Sequence, residues 1–429
     1  MDNKTVVDFD YNGMVSSSRL SGEAKLLICE DGLILDGLFD RVPIAYADMN
    51  SIVLENYVVK INTGDETIAI SQLGQACEWF YRDLLDAFNS KVLASFHVTG
   101  EPVLETEGQY SYGVLQGNAK ISVYPDCICI LAPNLRARRI PLAFVSGMKK
   151  ENYALTIILD KDEAYTLSMI GSDLDPLERA ITGQIRKQRE NDAAFVSKLI
   201  PSLGFSESLK AGALLREGIA VQLKQLPAFL VKAIDGKVRN SKMGSAYEQL
   251  KEICDNERMA VSIRCMPDEE FEALKQAEIE KLERITESKQ ETASEANMSE
   301  TAELTPEQED ALRWAVWAAV PSRDGRTAVV EFALPGEDAA TYLFRADPEW
   351  ERFLMLLNRG MEATQMRREV FSLSDEALIK ESNAGQRMLK MRSPSIQELR
   401  RRFIGRVIHR SEEGWKKSLL EKLDATHGT

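Results

Sequence analysis

Hydrophobic and polar positions alternate along roughly the first 190 residues, and one pattern occurs twice. Residues 22–71 and 117–168 each carry a short apolar run, a turn, a second apolar run, a Pro-centred strand and a hairpin. Within each copy the apolar positions recur with a period of two, as half-buried antiparallel strands require. The pattern therefore predicts two sheets that are related by an internal duplication.

The duplication extends to single residues. One triplet occurs unchanged in both copies, as Glu55, Asn56 and Tyr57 and as Glu151, Asn152 and Tyr153. Each triplet leads into a hairpin that we expect to turn at residues 65–66 in the first copy and 162–163 in the second. A repeat of about a hundred residues is too long for a solenoid unit, so each copy is expected to be a domain.

Each copy ends where the spacing of apolar residues changes. These residues then lie at i, i+4 and i+8, in one copy Phe80, Leu84 and Phe88 and in the other Leu177, Ile181 and Ile185. This spacing places them on one face of a helix. We therefore expect an amphipathic helix to close each sheet.

Several short strands ending in one amphipathic helix resemble the pleckstrin-homology-like (PH-like) superfold, which includes bacterial PH-like and GRAM-like domains. The resemblance rests on the Pro-centred strands at 42–46 and 140–144, the hairpins that start at Tyr57 and Tyr153, and the closing helices. It covers roughly the first 190 residues and implies a bent, seven-stranded sandwich closed at one corner by the helix. Because many unrelated functions use this fold, the resemblance implies no chemistry.

The predicted fold class is α+β, with two tandem PH-like β-sandwich or barrel domains in the first half. We predict PH-like domains at 1–97 and 98–192, a helical region at 193–266, an acidic, partly disordered linker at 267–304 and a C-terminal α+β module with helices at 305–429. The helical region ends in a short strand-like run at 259–265. The last module has two interpretations, a third, divergent PH-like unit or an unrelated α+β module.

Local signals within the last module predict its elements. A capping box at Thr305 and Gln308 predicts a helix through Val316, although Trp314 could instead begin a strand. Residues 327–334 and 340–344 are expected to form a hairpin, followed by a helix from Trp350 that stops at Gly360. The last seventy residues are predicted to be helical, including one helix that runs from about 393 to 409.

Charge is distributed unevenly along the 429 residues, which carry a formal net charge of −14. Residues 267–310 contain fifteen acidic against four basic residues, a local charge of −11. The second half of this stretch has almost no large apolar side chain and is predicted to be a disordered linker, with an acidic binding tail as the alternative. Six scattered cysteines are expected to be reduced core residues. Without a leader or a membrane-spanning run, the chain is predicted to be cytoplasmic.

Two basic clusters are the candidate binding residues. They are Arg136, Arg138 and Arg139 in the second repeat, and Arg400, Arg401, Arg402 and Arg406 in residues 387–410, where eight Lys and Arg stand against one Glu. The later cluster is interpreted either as a solvated helix face or as a basic helix for nucleic acid, an anionic membrane or the acidic linker. An acidic protein segment is favoured over nucleic acid because the net charge repels phosphate at long range.

The sequence predicts no enzyme, cofactor or metal site. Of three histidines, His427 lies in the C-terminal tail, and neither His97 nor His409 has a second histidine nearby. Cys127 and Cys129 are two apart on a strand rather than in a metal knuckle, and no Gly-rich phosphate loop is present.

The function predicted from the sequence is a non-enzymatic scaffold or adaptor. Its tandem PH-like domains would bind a protein partner or another copy of the chain by strand addition at an exposed sheet edge. The alternatives are a membrane-surface or lipid-binding protein and a histone-chaperone-like acidic binding protein. Lipid binding is less favoured than the scaffold, because phosphoinositide-binding members of the fold carry basic residues on the hairpin of the first strands, where this chain has Glu30, Asp31 and Asp126. No motif is specific enough to favour the histone-chaperone-like alternative.

Overall fold

The structure, a computed structural model, describes residues 7–160, 163–290 and 303–425. The chain divides into two units. Unit 1 consists of Met1–Gln188 and Ala363–Gln397, and unit 2 of Arg189–Glu362 and Glu398–Thr429. Unit 1 contains two antiparallel sheets and unit 2 contains a third. The predicted α+β class is therefore confirmed.

Each sheet of unit 1 has seven strands and is followed by a helix. The first copy consists of β1 (Val7–Ser16), β2 (Ser21–Cys29), β3 (Gly32–Gly37), β4 (Arg41–Ala45), β5 (Ser51–Glu55), β6 (Val58–Asn62), β7 (Thr67–Ser71) and α1 (Cys77–Ser95). The second consists of β8 (Leu104–Tyr112), β9 (Leu115–Val123), β10 (Cys127–Leu131), β11 (Arg138–Pro141), β12 (Gly147–Glu151), β13 (Ala154–Asp160), β14 (Glu163–Ser168) and α2 (Leu174–Leu199), whose first part belongs to this unit.

The two sheets have the same strand order. It is β4-β3-β2-β1-β7-β6-β5 in the first and β11-β10-β9-β8-β14-β13-β12 in the second, so the first strand of each copy pairs with both the second and the last. The predicted helix faces are buried, since Phe80, Leu84 and Phe88 on α1 and Leu177 and Ile181 on α2 have no exposed surface. The repeated sequence pattern thus encodes one topology twice.

A glycine stands at the same place in both sheets, where the first strand passes the last. A Cβ atom on Gly13 would lie 3.1 Å from the carbonyl oxygen of Ser71, and one on Gly108 would lie 2.8 Å from that of Ser168. A larger side chain would therefore push the two strands apart. This close approach of the backbones explains why glycine is found at both positions.

The repeated triplets form two-residue hairpin turns. Asn56 and Tyr57 have φ values of 50° and 61°, and Asn152 and Tyr153 have values of 51° and 57°. Two successive left-handed residues are typical of a type I′ turn, whose twist matches that of the flanking strands. The second hairpin turn predicted for each copy joins β6 to β7 in the first. In the second copy Asp162 lies outside the described residues and Glu163 begins β14.

The third sheet, in unit 2, has the order β15-β16-β17-β18-β19-β20. Up to its fifth strand the elements are α3 (Phe205–Gly212), β15 (Val221–Gln222), α4 (Ala228–Asn240), α5 (Gly244–Ile253), β16 (Ala260–Cys265), α6 (Asp268–Gln290), α7 (Pro306–Arg313), β17 (Trp314–Pro321), β18 (Thr327–Ala333), β19 (Ala340–Arg345) and α8 (Trp350–Ala363). Then come α9 (Glu369–Ser372), α10 (Asp375–Ile379) and α11 (Ala384–Arg392) in unit 1, and α12 (Pro394–Arg402), β20 (Phe403–Ile408) and α13 (Glu412–Ala425).

The structure corrects the predicted organisation of the second half. The segments predicted as a helical region at 193–266 and a separate module at 305–429 share one sheet, because β16 pairs with β17 along its whole length. Helices α9 to α11 belong instead to unit 1, where α11 packs against α1. The order of the third sheet also differs from that of the first two, since its strands follow one another without a return to the first.

Three element boundaries also differ from expectation. The helix predicted to run from 393 to 409 ends at Arg402, because the alternating apolar residues of β20 pair with β19. The capping box at Thr305 is present, but its helix ends at Arg313 and Trp314 begins a strand, which was the alternative. Helix α8 continues past Gly360 to Ala363.

The predicted linker lies only partly within the described residues, whereas all six cysteines lie within them. The first half of the acidic segment is helix α6, whereas residues 291–302, where disorder was predicted, lie outside the described residues, as does His427. All six cysteines are free, and five of them are buried. Among the helices in the described ranges, none combines the length and apolarity that crossing a bilayer requires.

Candidate interaction surface

The sheets of unit 1 have four edge strands, which are β4 and β5 in the first sheet and β11 and β12 in the second. The outer side of an edge strand carries backbone N–H and C=O groups that a further strand can pair with. These edges are therefore the natural places for the strand addition predicted from the sequence.

Two of the four edges carry proline. Pro43 lies in the middle of β4, and Pro141 ends the four-residue strand β11. Proline has no backbone N–H and cannot donate to an added strand. These two edges are therefore poorly suited to extension.

The β5 edge is occupied by the chain itself. The N–H of Ile52 donates to the carbonyl of Pro133 at 2.9 Å, and the N–H of Leu135 donates to the carbonyl of Asn50 at 3.1 Å. Between them, Ser51 faces Asn134 in antiparallel pairing. Residues 133–135 lie between β10 and β11, so a loop of the second domain extends the sheet of the first. We call residues 132–137 the docking loop.

Strand β12 is the equivalent of β5 in the second sheet. The N–H of Ser146 donates to the carbonyl of Ile158 at 2.8 Å, as that of Asn50 does to Asn62 at 2.7 Å. Ser146 therefore corresponds to Asn50, and Met148 corresponds to Ile52.

The hairpin turn determines which β12 groups face outward. A two-residue turn makes its flanking pair, here Glu151 and Ala154, a hydrogen-bonded pair, and the pairs alternate from there. Lys150 and Met148 are then non-hydrogen-bonded positions, whose N–H and C=O groups point away from β13. Within the part of the chain that the structure describes, no residue hydrogen-bonds to these outer groups.

The last three side chains of β12 are exposed and charged, whereas Met148 is partly buried against the core of the sheet. Lys149 pairs with Glu151 at 2.9 Å, and Lys150 pairs with both Asp175 and Glu178 on α2. The pKa of Lys150 is raised mainly by its hydrogen bond with Glu178 and next by its hydrogen bond with Asp175. Charged lysines on an edge strand oppose unspecific edge-to-edge pairing.

Tyr153, at the end of β12, is 90% exposed. It stands in the left-handed region that is unfavourable for a bulky residue. We define the β12 edge surface as the outer backbone groups of Ser146, Met148 and Lys150 together with the side chain of Tyr153.

The first predicted basic cluster, Arg136, Arg138 and Arg139, lies at the docking loop and makes its contacts within the second domain. Arg138 donates to the carbonyls of Leu135 and Ala137 and lies over the ring of Tyr112 at 5.0 Å. The side chain of Arg139 is only 5% exposed and pairs with Asp126 at 2.6 Å. Arg136 is exposed and donates to the carbonyl of Gln116 at 3.3 Å. These contacts give the cluster a role in holding the loop.

The second predicted cluster does not form one helix face. Arg400, Arg401 and Arg402 lie on α12, whereas Arg406 lies exposed on β20. Arg401 and Arg402 both pair with Glu398, at 2.6 and 2.7 Å. Earlier in the same basic stretch, Arg387 belongs to unit 1 and pairs with Asp48 at 2.7 Å. The local charge of this stretch is therefore divided between the two units.

A buried polar cluster in unit 2 was not found from the sequence. Glu331 has no exposed surface, and it accepts from the hydroxyl of Thr341 at 2.5 Å. The Nε2 atom of His409 lies 2.8 Å from Glu331 and 3.3 Å from the Thr341 hydroxyl, and Trp415 donates to that hydroxyl at 2.6 Å. Because one ring nitrogen faces both the carboxylate and the hydroxyl, the cluster lacks the relay geometry of a catalytic triad. It ties β18, β19 and α13 together.

Comparison of the chain with protein-family models and with curated proteins found no match. The features that point to a function are therefore geometric ones within unit 1. They are the β5 edge, which is paired with the docking loop, and the equivalent β12 edge, whose outer groups face away from the sheet.

Proposed function

We propose that this chain is a non-enzymatic protein-interaction scaffold or adaptor whose tandem PH-like domains bind an extended partner segment at the β12 edge surface. The observation that carries the proposal is the pairing of the docking loop with β5. It provides a precedent within the chain for an extended segment at this position of the fold. The repeated seven-stranded order with a closing helix supports the PH-like assignment.

Binding would proceed by strand addition. The N–H of Met148 would donate to the partner and the carbonyl of Ser146 would accept from it, as Ile52 and Asn50 do with the docking loop. Each such backbone hydrogen bond contributes about 1 kcal/mol net. Tyr153 would add apolar contact area next to the strand. Main-chain pairing supplies affinity in this mode, and side-chain contacts supply specificity.

Two further observations agree with the proposal. The engagement of Arg138 and Arg139 within the second domain favours protein binding over an anionic membrane. The free thiols of all six cysteines suit a reducing compartment, and we therefore place the function in the cytoplasm.

The test removes one outward backbone donor at a time, at Lys150, which is exposed, or at Met148, which packs partly against the core of the second sheet. Met148→Pro and Lys150→Pro each delete an N–H that points away from β13, so the hairpin should remain folded. We expect either change to weaken binding about tenfold, because one hydrogen bond is lost and the proline ring obstructs the partner strand. The measurement is light scattering of the full chain together with affinity capture of its partner.

Matched controls separate the backbone from the side chain. Met148→Ala and Lys150→Ala remove the same side chains, leave every backbone group in place and should retain binding. Self-association that disappears in Met148→Pro would identify the partner as a second copy of the chain. A wild-type chain that stays monomeric and captures nothing, or proline variants that capture as much partner as the wild type does, would refute the proposal.

A further inference from the structure

A depression with a volume of about 1000 Å³ lies in unit 2 and is lined by three cationic side chains. Arg326 precedes β18, Arg345 ends β19 and Lys422 lies on α13. Phe403 and Ile404, at the start of β20, line the same depression. Its size is that of pockets which bind small molecules, and its lining combines cationic groups with an apolar wall.

The apolar wall is produced by an irregularity in the sheet. Phe344 pairs with Phe403 and Leu343 pairs with Gly405, so Ile404 is an extra residue in β20. Such a β-bulge bends the strand and redirects its side chains, and bulges are enriched next to functional sites. In this unit the bulge lies at the depression.

The three positive charges of the depression are only partly neutralised. Asp324 also lines the depression, and its carboxylate lies 4.0 Å from Arg326, whose side chain is 66% exposed. Asp324 also accepts from the hydroxyl of Ser322 at 2.6 Å. Over the described ranges, no carboxylate lies within 4.0 Å of the Arg345 guanidinium or the Lys422 ammonium group. An acidic protein that leaves these cations together presents a local site for an anion.

We propose that this depression binds a small molecule that bears phosphate groups. Arg326 and Arg345 can each donate two parallel hydrogen bonds to a phosphate, and Lys422 adds a third positive charge. The wall of Phe403 and Ile404 can contact an apolar part of the ligand, such as a nucleoside base. The overall charge of −14 repels a nucleic-acid polymer at long range, and this favours a small ligand. The site is independent of the β12 edge surface, which belongs to unit 1.

The test is isothermal titration of the full chain with inorganic pyrophosphate and with ADP at constant ionic strength. We expect both ligands to bind, and we expect Arg345→Ala and Lys422→Ala each to weaken binding about tenfold or more, since each removes a charged donor. The control is Arg284→Ala, which makes the same change in net charge at a side chain on α6 that is 78% exposed and outside the depression, and should bind as the wild type does. Thermal melting of each variant checks that it is folded.

The outcomes are distinct. Tighter binding of ADP than of pyrophosphate would indicate that the base contacts the apolar wall. Equal affinities would indicate an inorganic ligand. Either result supports the site. Absence of binding by the wild type, or equal weakening by Arg284→Ala, would overturn the proposal. Met148→Pro should bind pyrophosphate normally, so a failure of the scaffold proposal can be told apart from a failure of this one.

Discussion

At the scale of single residues, Glu331 shows how unit 2 accommodates a buried carboxyl group. The side chain lies on a central strand without exposed surface, and its two oxygens face Thr341 and His409. A carboxylate buried in this way is stable only while hydrogen-bonded partners compensate for its lost hydration. His409 in turn stacks on Trp415, with ring centres 5.2 Å apart.

We therefore expect His409→Phe to destabilise the fold although it preserves an aromatic ring over Trp415. The change removes the ring nitrogen that lies 2.8 Å from the buried carboxyl of Glu331, and we expect a cost of about 2 kcal/mol in the free energy of unfolding, because a buried polar group loses its polar neighbour. Urea denaturation followed by circular dichroism measures this loss. In the double variant His409→Phe with Glu331→Gln, the carboxyl group is replaced by an amide and part of the stability should return. Equal stability of the two variants would contradict this account of the cluster.

At the scale of elements, the two hairpin turns combine a favourable and an unfavourable residue. Asparagine is a preferred first residue of a type I′ turn, but the second position favours glycine, where this chain has Tyr57 and Tyr153. Both tyrosines are exposed, at 74% and 90%, so burial does not compensate for the backbone strain. Retaining a strained aromatic residue in the open is consistent with a role for Tyr153 in contact with a partner.

Replacing either tyrosine by glycine should therefore stabilise the protein. Tyr57→Gly and Tyr153→Gly create Asn-Gly turns and relieve a left-handed conformation that costs about 1 kcal/mol in a residue with a side chain. Thermal melting should show a higher Tm for both variants. Phe39→Gly is the matched control, because Phe39 is 91% exposed but has no positive φ, and we expect it to give no gain. An unchanged or lower Tm in both tyrosine variants would contradict the claim that the backbone at these two residues is strained.

At the scale of the whole molecule, buried tyrosines link stability to alkaline pH. Burial raises the pKa of Tyr124 and of Tyr165 from 10.0 to about 12. Between these two pH values, the two tyrosines therefore keep their hydroxyl protons in the folded state and lose them in the unfolded state. The stability that these groups contribute is fully present below pH 10 and is lost as the pH rises towards 12.

We expect the chain to unfold cooperatively between these two pH values, with tyrosinate absorbance rising together with the loss of circular dichroism. Tyr165→Phe removes one of the ionising groups and should shift the midpoint to higher pH, although it also deletes the hydrogen bond of Tyr165 to Glu163 at 2.8 Å. The free energy of unfolding at pH 7 measures the loss of this hydrogen bond separately. Complete formation of tyrosinate near pH 10 in a folded protein would contradict the prediction.

The sequence by itself determined the local elements of the first half and one strand of the second. Periodicity depends on which side of an element is buried, and this is a local property. It predicted the two repeats, the closing helices with Phe80 and Leu177 on their buried faces, and the strand-like run that became β16. It also predicted a sheet edge as the kind of surface to expect, without indicating which one.

Only the tertiary structure decided which segments pair. β16 joins β17 across the intervening α6 and α7, and β20 adds to β19 after five helices, because strand pairing is set by long-range contacts that periodicity does not record. The same holds for the candidate site. Arg138, a predicted binding residue, donates to a carbonyl of the docking loop, and the pairing of that loop with β5 distinguishes this edge from β12. A local sequence pattern predicts whether a residue is buried or exposed, whereas the tertiary fold determines which residues it contacts.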